Sequence, residues 1–95
     1  MKVDENFIGS WKQFGVFVIS EITIPSKGKA THYGKVGSDE NKQKGIAKIK
    51  KSTNTLYIGW KKWHIDAYPY QDNDSTLGGA VWKLTLEGIG LYRPQ

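Results

Sequence analysis

The sequence predicts an all-β domain, a small antiparallel meander of about eight short strands closed into a barrel. Three observations carry this. Apolar and polar residues alternate over several short segments, the period-2 signature of strands with one buried face. Eleven glycines, with clusters of Pro, Ser and Asn, punctuate those segments as turns. Few stretches carry helical periodicity. With 95 residues, the chain is read as one domain spanning 1–95. Its four tryptophans supply much of the core of so small a domain, since each buried aromatic removes roughly 150–250 Å² from water.

The elements follow in order. Residues 7–13 (FIGSWKQ) read as a first strand, which Gly15 then breaks or bulges. Residues 16–24 are the clearest strand. Val16, Val18, Ser20, Ile22 and Ile24 share one face, and Phe17, Ile19, Glu21 and Thr23 share the other. Pro25-Ser26-Lys27-Gly28 is a turn, with Pro setting φ and Gly supplying positive φ. Residues 29–36 return as the hairpin partner, 37–44 (GSDENKQK) read as a polar loop, and 45–51 resume as a short strand. Ser52-Thr53-Asn54-Thr55 turns the chain into a strand at 56–59, and Trp60-Lys61-Lys62 reads as a turn tip or bulge. Trp63, Ile65 and Ala67 then alternate against His64, Asp66 and Tyr68. Residues 69–79 read as the longest loop. Residues 81–86 form a strand with Trp82, Leu84 and Leu86 on one face, Glu87-Gly88 is a tight hairpin, and 89–93 close the chain.

Closure of such a meander removes unpaired edges. One segment competes. Residues 39–51 also fit a helix, with Asp39 as N-cap and Ile46 and Ile49 three apart. Gly45 inside it costs about 1 kcal/mol against Ala. A helix there gives the alternative fold, a five-stranded OB-like barrel.

Phe7-Ile8-Gly9-Ser10-Trp11-Lys12 resembles the first-strand signature of the calycins, the lipocalin and fatty-acid-binding-protein group, whose motif is Gly-x-Trp near the N-terminus. The tail, Trp82-Lys83-Leu84-Thr85-Leu86, then Gly88, then Tyr92-Arg93, is similar to small bacterial lipocalin-like domains. The resemblance covers both ends and the strand count. It implies that Gly9, Trp11 and Arg93 form a structural plug at one barrel end, with the guanidinium across the indole. Such a cation–π contact is worth roughly 0.5–2 kcal/mol. It also implies non-catalytic binding of a small apolar or amphipathic ligand. Strands this short leave little height for a cavity, so a barrel filled by its own side chains is the competing expectation. The candidate interior positions are Val18, Ile22, Tyr33, Tyr57, Ile65, Trp82 and Leu84, with Trp11 and Val16. Ligand sites in barrels lie at the mouth. The expected place is therefore the mouth opposite the plug, under 37–45 or 69–79.

The formal charge is +5, from fourteen Lys and Arg against nine Asp and Glu, and Arg93 is the only arginine. Arginine is preferred for bidentate phosphate and base-edge contacts, so a lysine surface points to solubility first. Lys48, Lys50, Lys51, Lys61 and Lys62 with Tyr57, Trp60 and Trp63 nonetheless make a basic aromatic cluster of the kind single-stranded nucleic-acid binders use. That is the runner-up function, and a protein-interaction domain, monomeric or dimeric through exposed aromatics, is a third. The competing reading is a core Trp63, a half-buried Trp60 and a solvated lysine face.

With no cysteine, disulfides, thiolate metal sites and cysteine nucleophiles are excluded. His64 and Asp66, two apart on a strand, with His32 as the only other histidine, fall short of a metal ligand set. No phosphate loop, nucleophile elbow or paired carboxylates in an apolar setting is present. The expectation is a non-enzyme without cofactor. No apolar run approaches the roughly 18 residues of a membrane helix. The N-terminus as given has no apolar signal region, which points to the cytoplasm unless the sequence is a processed fragment.

Overall fold

Nine strands succeed one another in the computed structural model: β1 Gly9–Phe14, β2 Val18–Ile24, β3 Ala30–Val36, β4 Asp39–Gly45, β5 Ala47–Lys50, β6 Thr55–Ile58, β7 Lys61–Asp74, β8 Gly79–Leu86 and β9 Ile89–Pro94. The structure describes residues 5–14 and 18–94, and the side chains of all of these except Phe14 and Val18. The break expected at Gly15 and the inward faces expected of Val16 and the Val18 side chain lie outside the described residues.

All pairings are antiparallel, in the order β4-β3-β2-β1-β9-β8-β7-β6-β5. First strand meets last through Lys12 and Tyr92. The two ends of that order, β4 and β5, are consecutive in the chain and separated only by Ile46. The result is a nearly closed barrel in which the chain makes eight passes, with β4 and β5 as the two halves of one. The helical alternative over 39–51 and the OB-like barrel are not what forms.

Two stretches expected as loops are strands. The polar segment 37–44 contributes β4, held by seven residue pairs with β3 from Ala30–Gly45 to Val36–Asp39. Its side chains are mostly exposed, so no apolar alternation marks it. Much of 69–79 is the second half of β7, paired with β8 from Tyr70–Lys83 to Asp74–Gly79. Pro69 sits within the register irregularity between Ala67 and Tyr70, where a missing N–H costs no ladder bond. The β8–β9 turn behaves as expected: Glu87 (φ 48°) and Gly88 (φ 76°) both take positive φ, the two-residue hairpin geometry that matches strand twist.

Alternation places the core. Ala47 and Ile49 on β5, Leu56 and Ile58 on β6, Trp63 and Ile65 on β7, and Leu84 and Leu86 on β8 all point inward. Phe7 and Trp11 fill one end of the same cluster. Each fully buried Leu, Ile or Phe contributes about 1.5–3 kcal/mol from area removed from water. No described helix is long and apolar enough to cross a membrane.

The two ends of the strand order are drawn together at a pair of glycines. A Cβ on Gly45 would stand 2.5 Å from Gly59 Cα and 2.6 Å from its nitrogen. Only two backbones without side chains approach so closely, and the β4–β5 junction therefore packs directly on the β6–β7 turn.

Candidate functional site

At the end of the barrel where β1 begins, a 3-10 turn, Glu5–Phe7, folds under the sheet with Phe7 fully buried. Trp11 is also fully buried, and its Nε1 donates to Phe7 O at 2.8 Å. The Arg93 guanidinium lies 4.8 Å from the Trp11 ring centroid and 5.2 Å from that of Trp82, so one cation serves two indoles. Its Nη1 donates to Ile8 O, tying β9 to the segment before β1. Gly9 (φ 133°) makes room for this, because a Cβ there would stand 2.5 Å from Arg93 Cδ. Gly9, Trp11 and Arg93, expected as a group, are thus brought together at one barrel end.

The expected interior positions divide. Ile22, Ile65 and Leu84 are buried in the core cluster, and Trp82 packs against it half-buried under Arg93. Tyr33 and Tyr57 face outward. On β3 it is Ala30 and His32 that are buried, which puts Tyr33 on the other face, donating to Glu40 Oε1 at 3.2 Å. On β6 the buried residues are Leu56 and Ile58, so Tyr57 lies outside, in register with Lys48 and Lys62. The side chains that do point inward pack on one another in one contiguous cluster.

An open groove of about 1170 Å³ lies at the barrel's side. It lies between the 3-10 turn, the β2–β3 turn and β5. Ile8, Ile24, Pro25, Ile46, Ala47 and Ile49 supply its apolar wall, and Lys27, Lys50 and Lys51 stand at its rim. The opening follows from topology. β4 pairs with β3, but past Ile46 the chain turns to pair with β6, which leaves the other edge of β5 unpaired beside Ile24 and the Pro25–Gly28 bend. The groove is adjacent to the plug, since Ile8 both lines it and receives Arg93. The groove does not coincide with the place expected for a ligand, opposite the plug under 37–45 or 69–79. Of the groove residues, Lys50 and Lys51 belong to the basic aromatic cluster read from the sequence. The one local signal for the rest is Ile46, an apolar residue adjoining the inward Ala47 and therefore out of phase with the strand.

The lysine–aromatic cluster divides, with Lys48, Lys50, Tyr57 and Lys62 on the outer face of the sheet. Lys48, Tyr57 and Lys62 lie side by side across β5, β6 and β7, and Lys50 pairs with Thr55. Trp63 is core, whereas Trp60 at the β6–β7 turn is 96% exposed. Lys61 Nζ stands 5.9 Å from the Trp63 ring centroid.

The histidines are apart in environment. His32 is buried with its ring 4.9 Å from Trp63, edge to face, and its Nδ1 has no partner. Burial first, and Lys61 second, hold its pKa below the usual 6.5. His64 is exposed, 3.7 Å from Asp66. Lys83 Nζ bridges Asp72 (2.8 Å) and Asp74 (2.9 Å). Hydrogen bonds from Thr76 and Lys83 bring Asp74 down to about 2. That triad joins β7 to β8 beside the turn that Asp74 caps, which makes it a fastening of the β7–β8 hairpin.

No protein-family model matches the chain, and neither the curated proteins nor the solved structures give a match.

Proposed function

We propose that the chain is a non-catalytic binding domain of lipocalin-like type that takes a small amphipathic anion, such as a medium-chain carboxylate, in the groove beside β5. The observation that carries the reading is the groove itself: an opening of about 1170 Å³ with an isoleucine-rich wall and three lysines at its rim. An acyl chain gains about 0.8 kcal/mol per buried CH₂, and a carboxylate at the rim meets Lys27, Lys50 or Lys51. The packed interior turns the site from the barrel's centre to its side. The Gly9–Trp11–Arg93 plug supports the lipocalin-like resemblance, because it ties first strand to last in the way that resemblance implies.

The test is a melting series with saturated carboxylates of increasing length, followed by amide chemical-shift mapping. A bound ligand stabilises the native state by RT ln(1 + [L]/Kd), about 2.7 kcal/mol at a hundredfold excess over Kd. The expected result is a rise in Tm with chain length and shifts concentrated at 24–28 and 46–51. Replacing Lys27 and Lys51, both exposed, with Glu should weaken binding while leaving the unliganded Tm nearly unchanged. No rise in Tm across the series, or shifts centred elsewhere, removes the reading.

A further inference from the structure

We propose that the β6–β7 turn docks this protein onto the surface of an anionic phospholipid bilayer, with Trp60 as the inserted side chain. Trp60 is 96% exposed in a domain that buries Trp11 and Trp63. Its indole makes no hydrogen bond or ring contact with a described residue. Its support is rigid. Gly59 carries the turn at φ 58° and packs backbone to backbone on Gly45, so Trp60 projects from the seam where the barrel's two ends meet. The same seam brings Ile46, 51% exposed, to the side of the turn, with Lys44 next to it.

Charge completes the surface. Lys61 and Lys62 follow Trp60 in sequence, and Lys48 lies across Tyr57 from Lys62. None of Lys44, Lys48, Lys61 and Lys62 forms an ion pair with a described carboxylate. The nearest acidic side chain along β7, Asp66, and Glu87 of the β8–β9 turn are both directed elsewhere. Asp66 accepts from Gly88 N, and Glu87 accepts from His64 N. At about 3.3 Å per residue, Asp66 lies on the order of 20 Å along β7 from Trp60. An exposed indole with exposed lysines beside it in the turn and on the adjoining strands matches an anionic bilayer surface. Trp favours the headgroup boundary, and lysines within a Debye length of anionic lipid are drawn to it.

Shape decides between a bilayer and single-stranded nucleic acid. Stacking sites set rings flat along a groove that tracks the phosphate backbone. Here the exposed ring stands on a two-residue turn, and the ring on the sheet face, Tyr57, is half-buried between Lys48 and Lys62. A protruding tip suits a flat, deformable partner.

The test is co-sedimentation of the full chain with vesicles of mixed phosphatidylcholine and phosphatidylserine, against pure phosphatidylcholine, at low and high salt. Trp60→Ser, Trp60→Phe and Lys61→Gln/Lys62→Gln are run alongside. All three alter exposed side chains, so equal melting temperatures establish that the folds are equal. Binding to the anionic vesicles alone is expected, reduced by salt. It should be at least about tenfold weaker for Trp60→Ser and for the double lysine variant, and largely retained by Trp60→Phe. Brominated acyl chains should quench the wild-type tryptophan emission, and quenching should fall in Trp60→Ser. Equal binding to neutral and anionic vesicles, no binding to either, or undiminished binding by Trp60→Ser overturns the proposal. So does a single-stranded oligonucleotide that displaces the protein from vesicles and itself binds in a Trp60-dependent way, since that assigns the surface to nucleic acid.

Discussion

Trp11 does three things with one side chain. Its ring fills the barrel end, its Nε1 satisfies the Phe7 carbonyl, and its face receives Arg93. Removing it leaves a cavity, an unpaired buried carbonyl and a guanidinium with half its stacking lost. Trp11→Ala is expected to cost roughly 3–5 kcal/mol in urea unfolding, the range of large aromatic deletions from a core. Trp11→Phe, which keeps most of the volume but loses the hydrogen bond, should fall well short of that. Gly9 belongs to the same device: its positive φ and the proximity of Arg93 Cδ leave no room for a side chain. Gly9 and Trp11, two apart, and the distant Arg93 were legible as a group because the resemblance named them together. Nothing local to Arg93 shows that it also stacks on Trp82, because that contact depends on the Trp82–Arg93 register of β8 and β9.

At the scale of elements, the β4–β5 junction decides the architecture. A continuous strand paired with β3 along its whole length would cover the edge that now lines the groove. Instead the chain leaves β3 after Gly45 and pairs with β6 from Ala47 on. The Gly45–Gly59 contact is the pivot, so Gly45→Ala places a methyl against backbone that cannot rotate away. A loss of about 1–3 kcal/mol is expected, as for other overpacked sites, measured by chemical denaturation. Gly90→Ala is the control: a Cβ there meets nothing within 4 Å, and its effect should stay within about 0.5 kcal/mol. β4 itself escaped the sequence reading because its seven residues, DENKQKG, are largely solvated and show no alternation. Backbone pairing with β3, with Glu40 and Lys42 reaching Tyr33, makes it a strand.

For the molecule as a whole, pH probes how the fold holds its charges. His32 has a folded-state pKa below its unfolded value, so the unfolded chain takes up the proton first as pH falls. Its contribution is therefore complete above about pH 6.5 and is lost as pH falls through and below that value. Asp74 has its folded pKa lowered from 3.8 to about 2, so its contribution is present above 3.8 and is lost as pH falls towards 2. Unfolding midpoints measured from neutral pH downward should decline in two separate windows. His32→Phe should flatten the upper decline, and Asp74→Asn the lower. Persistence of the upper decline in His32→Phe would assign it to another group.

The sequence by itself determined the class of fold, the strand alternation that selects Ile22, Ile65 and Leu84 for the core, the two-residue turn at Glu87-Gly88, and the residues of the plug. The first three rest on local chemistry, side-chain period and backbone preference, and the plug on a resemblance carried by short motifs at the two ends of the chain. Which face of β3 and β6 turns inward was decided by register with neighbouring strands, and that register put Tyr33 and Tyr57 outside and buried His32. The groove, too, belongs to tertiary structure alone. Its wall draws on residues near 8, 24 and 47, which share no local pattern and meet only because the barrel closes β1 on β9 and pivots the chain at Gly45. Side-chain period is written along the chain, whereas an opening between strands depends on which edges find partners, and pairing over such separations leaves no trace in a local segment.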